Sequence, residues 1–292
     1  MRLFISNFKN IFVTFGIFLV FFVCYNIFVS FTNIQVTTFQ NQWQANMVFA
    51  QDYLYATPPP QCLIVGSSLA ARLTQKDLAS HQIYNLSFGG GSALTGLNII
   101  KYNTQYTNIV PRVIYIEENI VLIRDVDYQM LDTLLNPMAY TLRRYIPALR
   151  ERYQPINFIL SSAKKLFKRD QSENIEPQRN ERVYHMMLEG SEKSYQEELV
   201  GYESNLKLLH DLLAYFENLG TQIVFFQMPI DPKLANLKKP TQQHEILLVN
   251  FPQYTFLPAP SHGDYMTNDG VHLRKESASR FTQEFLSKIG KE

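Results

Sequence analysis

Five short apolar runs, separated by stretches of helical periodicity, constrain the fold of this chain more than any other feature. They are 61–66 (QCLIVG), 82–88 (QIYNLSF), 112–118 (RVIYIEE), 221–228 (TQIVFFQM) and 254–258 (YTFLP). Each is rich in β-branched and aromatic side chains, the types that suit a pleated, buried surface. Leu69–Ala79, 92–106 (SALTGLNIIKYNTQY), 202–220 (YESNLKLLHDLLAYFENLG) and 274–289 (RKESASRFTQEFLSKI) read as helices. In the third of these, Leu206, Leu209, Leu213 and Phe216 fall on one stripe and Gly220 supplies a stop. Strands that alternate with helices predict a parallel sheet covered on both faces. The expectation is an α/β fold, a flavodoxin-like three-layer sandwich with a five-stranded parallel sheet.

The N-terminus obeys different physics. Ile11 to Phe31 carries no charge, and its clearly polar residues are Thr14, Tyr25, Asn26 and Ser30. As a helix this run is long enough to cross a hydrocarbon core of about 30 Å. Arg2 and Lys9 precede it, and the next basic residue is Arg72. That asymmetry keeps the N-terminus in the cytoplasm and sends the rest across. The exit, FVSFTNIQV, is a poor cleavage site. The reading is therefore a retained signal anchor in a bacterial-type cytoplasmic membrane, single-pass, with an extracytoplasmic or periplasmic domain. The domains expected are an anchor at 1–31, a helical stalk or linker at 32–60 ending on Pro58–Pro60, and an α/β domain at 61–292. A helical insertion occupies about 121–200. It is either a solvated elaboration or a lid or docking surface, and the sequence leaves both open. Outside the anchor Cys62 stands alone, so no intramolecular disulfide is available there.

Composition excludes several classes. The net charge is +1, and no basic stretch interleaved with aromatics marks a nucleic-acid partner. The other histidines, His81, His185, His210, His244 and His262, form no ligand cluster in the sequence, so no metal is expected. GGGSALTG lacks both the P-loop lysine and the dinucleotide spacing, so no cofactor is expected.

Chemistry gathers at the strand ends, where open parallel sheets bind ligands. Ser67 and Ser68 follow the first run, Gly89–Gly91 the second and Asn119 the third. HGDYMTNDGVHL (262–273) precedes the last helix. Serine is a weak nucleophile until a base, oriented by a third group, takes its proton. Asp269 and His272 are three apart, which in a helical turn puts them on one face. The carboxylate would fix the imidazole tautomer and leave its other nitrogen for Ser68. An oxyanion would need donors. Candidates are the Ser68 N–H at its helix start, an N–H within Gly89–Gly91, and the Asn119 amide. Each residue also has a structural reading. Ser68 could be a helix cap, Asp269-Gly270 a turn and Asn119 a cap.

IVGSSLAARL, NLSFGGGSALTGL, VIYIEEN and NDGVHL resemble, in order, the four signature blocks of the SGNH (GDSL-like) hydrolase superfamily. The resemblance covers roughly 61–120 and 262–290. It implies Ser68 as nucleophile, with Asp269 and His272 completing the triad. It also implies an oxyanion hole made by Ser68, Gly91 and Asn119. Ser67 stands where the family has aspartate, and Glu117-Glu118-Asn119 departs from its third block. The form resembles membrane-tethered members, such as polysaccharide O-acetylation and D-alanine transfer proteins. That implies a serine O-acetyltransferase or acetylesterase acting on an envelope or exported polysaccharide. An integral membrane acyltransferase would be a possible partner. A tethered general esterase or lipase, and a non-catalytic scaffold of a polysaccharide assembly complex, are the alternatives.

Overall fold

The computed structural model of the protein describes residues 2–31, 39–167 and 178–290. In chain order its principal elements begin α1 (Arg2–Phe31), α2 (Gln42–Leu54), β1 (Cys62–Gly66), α3 (Gln75–Ser80), β2 (Ile83–Ser87), α4 (Ala93–Thr107) and β3 (Val113–Glu117). Then come α5 (Tyr128–Leu135), α6 (Pro137–Tyr145), α7 (Pro155–Phe167), α8 (Glu181–Gln196), α9 (Glu203–Asn218) and β4 (Gln222–Phe226). The chain closes with α10 (Pro232–Ala235), α11 (Lys238–Asn250), β5 (Thr255–Phe256) and α12 (Lys275–Ile289). Every strand expected from the sequence is present, shortened by one to three residues. The chain divides into two compact units. One joins Met1–Gln51 to Leu134–Gln171, and the other joins Asp52–Thr133 to Ser172–Glu292. The expected insertion is thus shared between them. Its charged run at 168–177, and residues 32–38 of the expected stalk, lie outside the described residues.

The larger unit is an α/β sandwich. Its strands are all parallel, in the order β2-β1-β3-β4-β5. Alternate residues of the central strands serve opposite faces, as the period of two requires. Ile64, Tyr115, Val224 and Phe226 join a core with Phe281 and Phe285 of α12. The Phe285 ring lies 5.4 Å from Tyr115 and 5.0 Å from Phe226, centroid to centroid. On the other face Leu63, Val65, Ile114 and Ile116 are fully buried, and Val65 lies against Gly96 of α4. Truncating a ring as enclosed as Phe285 to alanine costs about 3–5 kcal/mol. Strand order reverses between β1 and β3, so their carboxyl ends open the crevice where such sheets bind ligands.

The helix expected over Leu69–Ala79 is broken. A 3-10 turn occupies Ala70–Arg72, and α3 begins only at Gln75. Leu73 is extended, and the Thr74 N–H donates to Thr282 Oγ1 of α12 at 2.9 Å instead of to a helical carbonyl. Ser68 therefore enters a tight turn, and no α-helix starts at it. Gly66 is needed just before that turn. A Cβ there would stand 2.7 Å from the Ala70 Cβ and 2.9 Å from both Cβ and Oε2 of Glu117.

In the smaller unit α1 includes Asn10–Phe31, apolar and long enough to cross a membrane. Tyr25 and Asn26 of that run have partners outside it. The Tyr25 hydroxyl donates to the Tyr153 carbonyl, and the Ala148 N–H donates to Asn26 Oδ1 at 3.0 Å. Farther along, the Glu151 N–H donates to Gln51 Oε1 of α2 at 2.8 Å. The segment 147–158 thus satisfies polar groups that an apolar helix would otherwise leave bare.

Candidate active site

Ser68 and His272 are separated by almost the whole larger unit in sequence and meet at the carboxyl edge of the sheet. Ser68 Oγ lies 2.8 Å from His272 Nε2, and His272 Nδ1 lies 2.6 Å from Asp269 Oδ2. With Nδ1–H donating to the carboxylate, the tautomer leaves Nε2 as the acceptor of the serine proton. The three side chains form one continuous hydrogen-bonded line.

Asp269 and His272 are not brought together by a helical turn. They sit in a tight loop closed by the Thr267–Leu273 antiparallel bridge and by an Asn268 N–H to His272 carbonyl bond of 2.8 Å. Gly270 turns the corner at φ +95°, in the left-handed region that side-chain-bearing residues avoid. Asp269 Oδ1 accepts from the N–H groups of Val271 (3.1 Å) and His272 (2.8 Å). The same carboxylate therefore folds the loop and orients the imidazole. Burial alone would raise its pKa. The His272 ring and these two N–H groups outweigh burial and hold it below the usual aspartate range.

The loop is braced from both sides. Its Gly270 carbonyl accepts from the Asp231 N–H at 2.7 Å. Arg179 donates to the Thr267 carbonyl at 3.2 Å, while its guanidinium lies 3.7 Å over the Tyr184 ring.

Ser67, the residue before Ser68, is tied across the sheet. Its N–H and its hydroxyl both donate to Glu117 Oε2, at 2.7 and 2.6 Å. Its own Oγ accepts from the Leu69 N–H at 3.1 Å. Glu117 is buried, and desolvation raises its pKa above the usual glutamate range despite these bonds. Glu117 is thus turned onto the turn that carries Ser68.

The expected oxyanion donors are placed differently from one another. Among the described residues, the Ser68 N–H has no acceptor. The Gly91 N–H is consumed in a turn, donating to the Phe88 carbonyl at 3.0 Å. In the same loop it is the Gly90 N–H that has no acceptor. Asn119 clasps the Met228 backbone, its amide donating to the carbonyl at 2.9 Å and its oxygen accepting from the N–H at 2.7 Å. That leaves one Asn119 amide hydrogen to spare.

No protein-family model matches this chain, and no curated protein sequence is significantly similar to it. What the site can do therefore follows from its own geometry.

Two further residues were not singled out in the sequence. Tyr195 of α8 has its phenol pushed up to about 12, by burial first and then by the Glu117 and Asp269 carboxylates. It therefore stays protonated beside the site. Arg124 donates to the Gly90 carbonyl at 3.2 Å and so braces the glycine loop. Both lie in the insertion, where no local motif marks a residue that acts only after the chain folds back. Among the described residues no group of three or more His, Cys, Asp or Glu is arranged to hold a metal ion.

Proposed function

We propose that this protein is a membrane-anchored, extracytoplasmic serine acyl-transfer enzyme of the SGNH type. It would be an O-acetyltransferase or acetylesterase acting on an envelope or exported polysaccharide. The observation that carries the reading is the unbroken line from Ser68 through His272 to Asp269. Those distances match a nucleophile, its base and the group that orients the base.

In this reading Ser68 Oγ attacks an ester carbonyl while His272 Nε2 takes the serine proton. The tetrahedral oxyanion accepts from the Ser68 and Gly90 N–H groups, with the spare Asn119 hydrogen as a third donor. The intermediate collapses as His272 returns the proton to the departing alcohol, leaving an acyl group on Ser68. Water or a sugar hydroxyl, deprotonated by His272, then attacks that acyl group. Water gives an esterase, and a sugar hydroxyl gives a transferase. Asp269, held ionised, stabilises the imidazolium in both halves. The helix Asn10–Phe31 supports the anchor. Arg2 and Lys9 before it support the orientation. An integral membrane acyltransferase would supply the acyl donor.

A fluorophosphonate probe on the full-length protein tests the chemistry. The expected result is one covalent label, located on Ser68 by mass spectrometry and abolished by Ser68→Ala or His272→Ala. A folded protein that takes no label at Ser68 would overturn the reading.

A further inference from the structure

A cavity of about 290 Å³ opens at the carboxyl ends of β3 and β4. Glu118, Gln227, Asn236, His244 and His262 are among the residues lining it. None of them belongs to the triad. Glu118 is 3% exposed. Its Oε1 lies 2.8 Å from His244 Nδ1, whereas its buried Oε2 has no hydrogen-bond partner among the described residues. A carboxylate oxygen withdrawn from water and left without a donor is costly, and a ligand that donates a hydrogen bond would relieve it.

The other groups set the ligand's character. The hydrogen bond to Glu118 favours the protonated form of His244 and raises its pKa. A cation attracted by Glu118 would meet the His244 charge, and an anion attracted by His244 would meet Glu118. His262 Nδ1 accepts from the Ile230 N–H at 3.2 Å, which leaves Nε2 carrying the proton. Burial lowers the His262 pKa and keeps that ring a neutral donor. The Gln227 amide stands 3.2 Å from His244 Nδ1. The atom at that distance is Nε2, and the amide lining the cavity carries both an acceptor oxygen and donor hydrogens. The cavity thus presents acceptors beside several donors. Sugar hydroxyls, each both donor and acceptor, match that pattern. The volume lies at the small end of the roughly 300–1,000 Å³ of ligand pockets and suits a single sugar ring.

One loop joins this cavity to the triad. Met228 holds Asn119 and Ile230 reaches His262 on the cavity side, while the Asp231 N–H donates to the Gly270 carbonyl on the catalytic side. We propose that the cavity formed by Glu118, Gln227, His244 and His262 is a subsite for one uncharged sugar unit of the acceptor chain. It would sit next to the unit whose hydroxyl reaches Ser68. The subsite's role, though not its binding, rests on the acyl-transfer reading.

The test uses full-length protein in a detergent without a sugar headgroup. Saturation-transfer NMR with methyl glucoside, methyl galactoside and methyl N-acetylglucosaminide should detect saturable binding of at least one. Ethanolamine and inorganic phosphate should show none. Glu118→Gln and Gln227→Ala, each verified as folded by thermal unfolding, should weaken binding at least about tenfold. Ser68→Ala should still bind the sugar. No saturable glycoside binding, equal binding by both folded variants, or preference for ethanolamine or phosphate would overturn the proposal. Phosphonate labelling of Ser68 on the same sample keeps the two readings apart. A label without sugar binding sinks only the subsite, and sugar binding without a label sinks only the acyl chemistry.

Discussion

Glu117 Oε2 accepts from both polar hydrogens of Ser67, one residue before Ser68, and so joins the turn after β1 to the end of β3. Replacing Glu117 with alanine strands a buried N–H and a buried hydroxyl, at about 1–3 kcal/mol for each group left unpaired. Glutamine keeps an acceptor for both. Glu117→Ala should therefore lower the melting temperature and cut ester hydrolysis by at least about tenfold. Glu117→Gln should stay near wild type on both. Parallel thermal unfolding and p-nitrophenyl acetate assays would read the contrast.

The same residue has a pH signature. Its folded-state pKa is raised, so the folded chain holds a proton that the unfolded chain releases. Its contribution to stability is full at low pH and is lost as pH rises from the ordinary glutamate range through the raised value. Glu117→Gln removes that loss. Its melting temperature relative to wild type should climb between about pH 4 and pH 8. A flat difference across that range would show that Glu117 does not titrate as its burial requires.

Asp269 carries the opposite sign. Its folded pKa lies below the usual range, so its stabilisation is present above the ordinary aspartate value and fades as pH falls through the depressed one. Asp269→Asn should lose most stability at neutral pH and progressively less in acid. Because the amide cannot hold the imidazole tautomer that feeds Ser68, ester hydrolysis should drop on the order of 10³–10⁴-fold. Steady-state kinetics beside pH-dependent unfolding would measure both.

Gly270→Ala probes the loop's shape without touching a reacting atom. The left-handed φ disfavours any Cβ, and a Cβ there would stand 2.9 Å from the Leu188 Cδ1. The strain is about 1–3 kcal/mol. Relaxing it would swing Asp269 or His272 out of line, so kcat should fall by more than KM changes. An alanine variant with unaltered kcat would mean that the loop tolerates another conformation.

The strands were legible because each is a compact apolar run, and parallel pairing forces the crossovers between them. The positions of Ser68, Asp269 and His272 on one edge followed from strand ends alone. Their local geometry did not. The pattern over Leu69–Ala79 is helical, yet Thr282, two hundred residues later, takes the Thr74 N–H and stops the helix. The three-residue spacing of Asp269 and His272 suits a helix and a tight loop equally, and Gly270 decides for the loop. Glu117 is the end of β3, as its sequence suggests, but nothing in VIYIEEN reveals that Ser67 faces it across the sheet. The expectation of Gly91 as a donor failed because which N–H of GGG closes the turn depends on where Phe88 sits, and it is the Gly91 N–H that does so.

The Glu118–His244 pair yields a last expectation, with its own pH window. The hydrogen bond to Glu118 raises the folded-state pKa of His244 above its ordinary value near 6.5. The stabilisation is therefore complete below the ordinary histidine pKa and is lost as pH rises through the raised one. His244→Gln keeps a donor for Glu118 but removes the charge. Its melting temperature should fall furthest below wild type near pH 6, with the gap narrowing by about pH 8.5. Because the ring is partly open to solvent, salt screens the attraction, and the gap at pH 6 should shrink in 1 M sodium chloride. A deficit that ignored both pH and salt would mean that His244 contributes by packing against Phe256, whose ring centroid lies 6.1 Å away, and not by its charge.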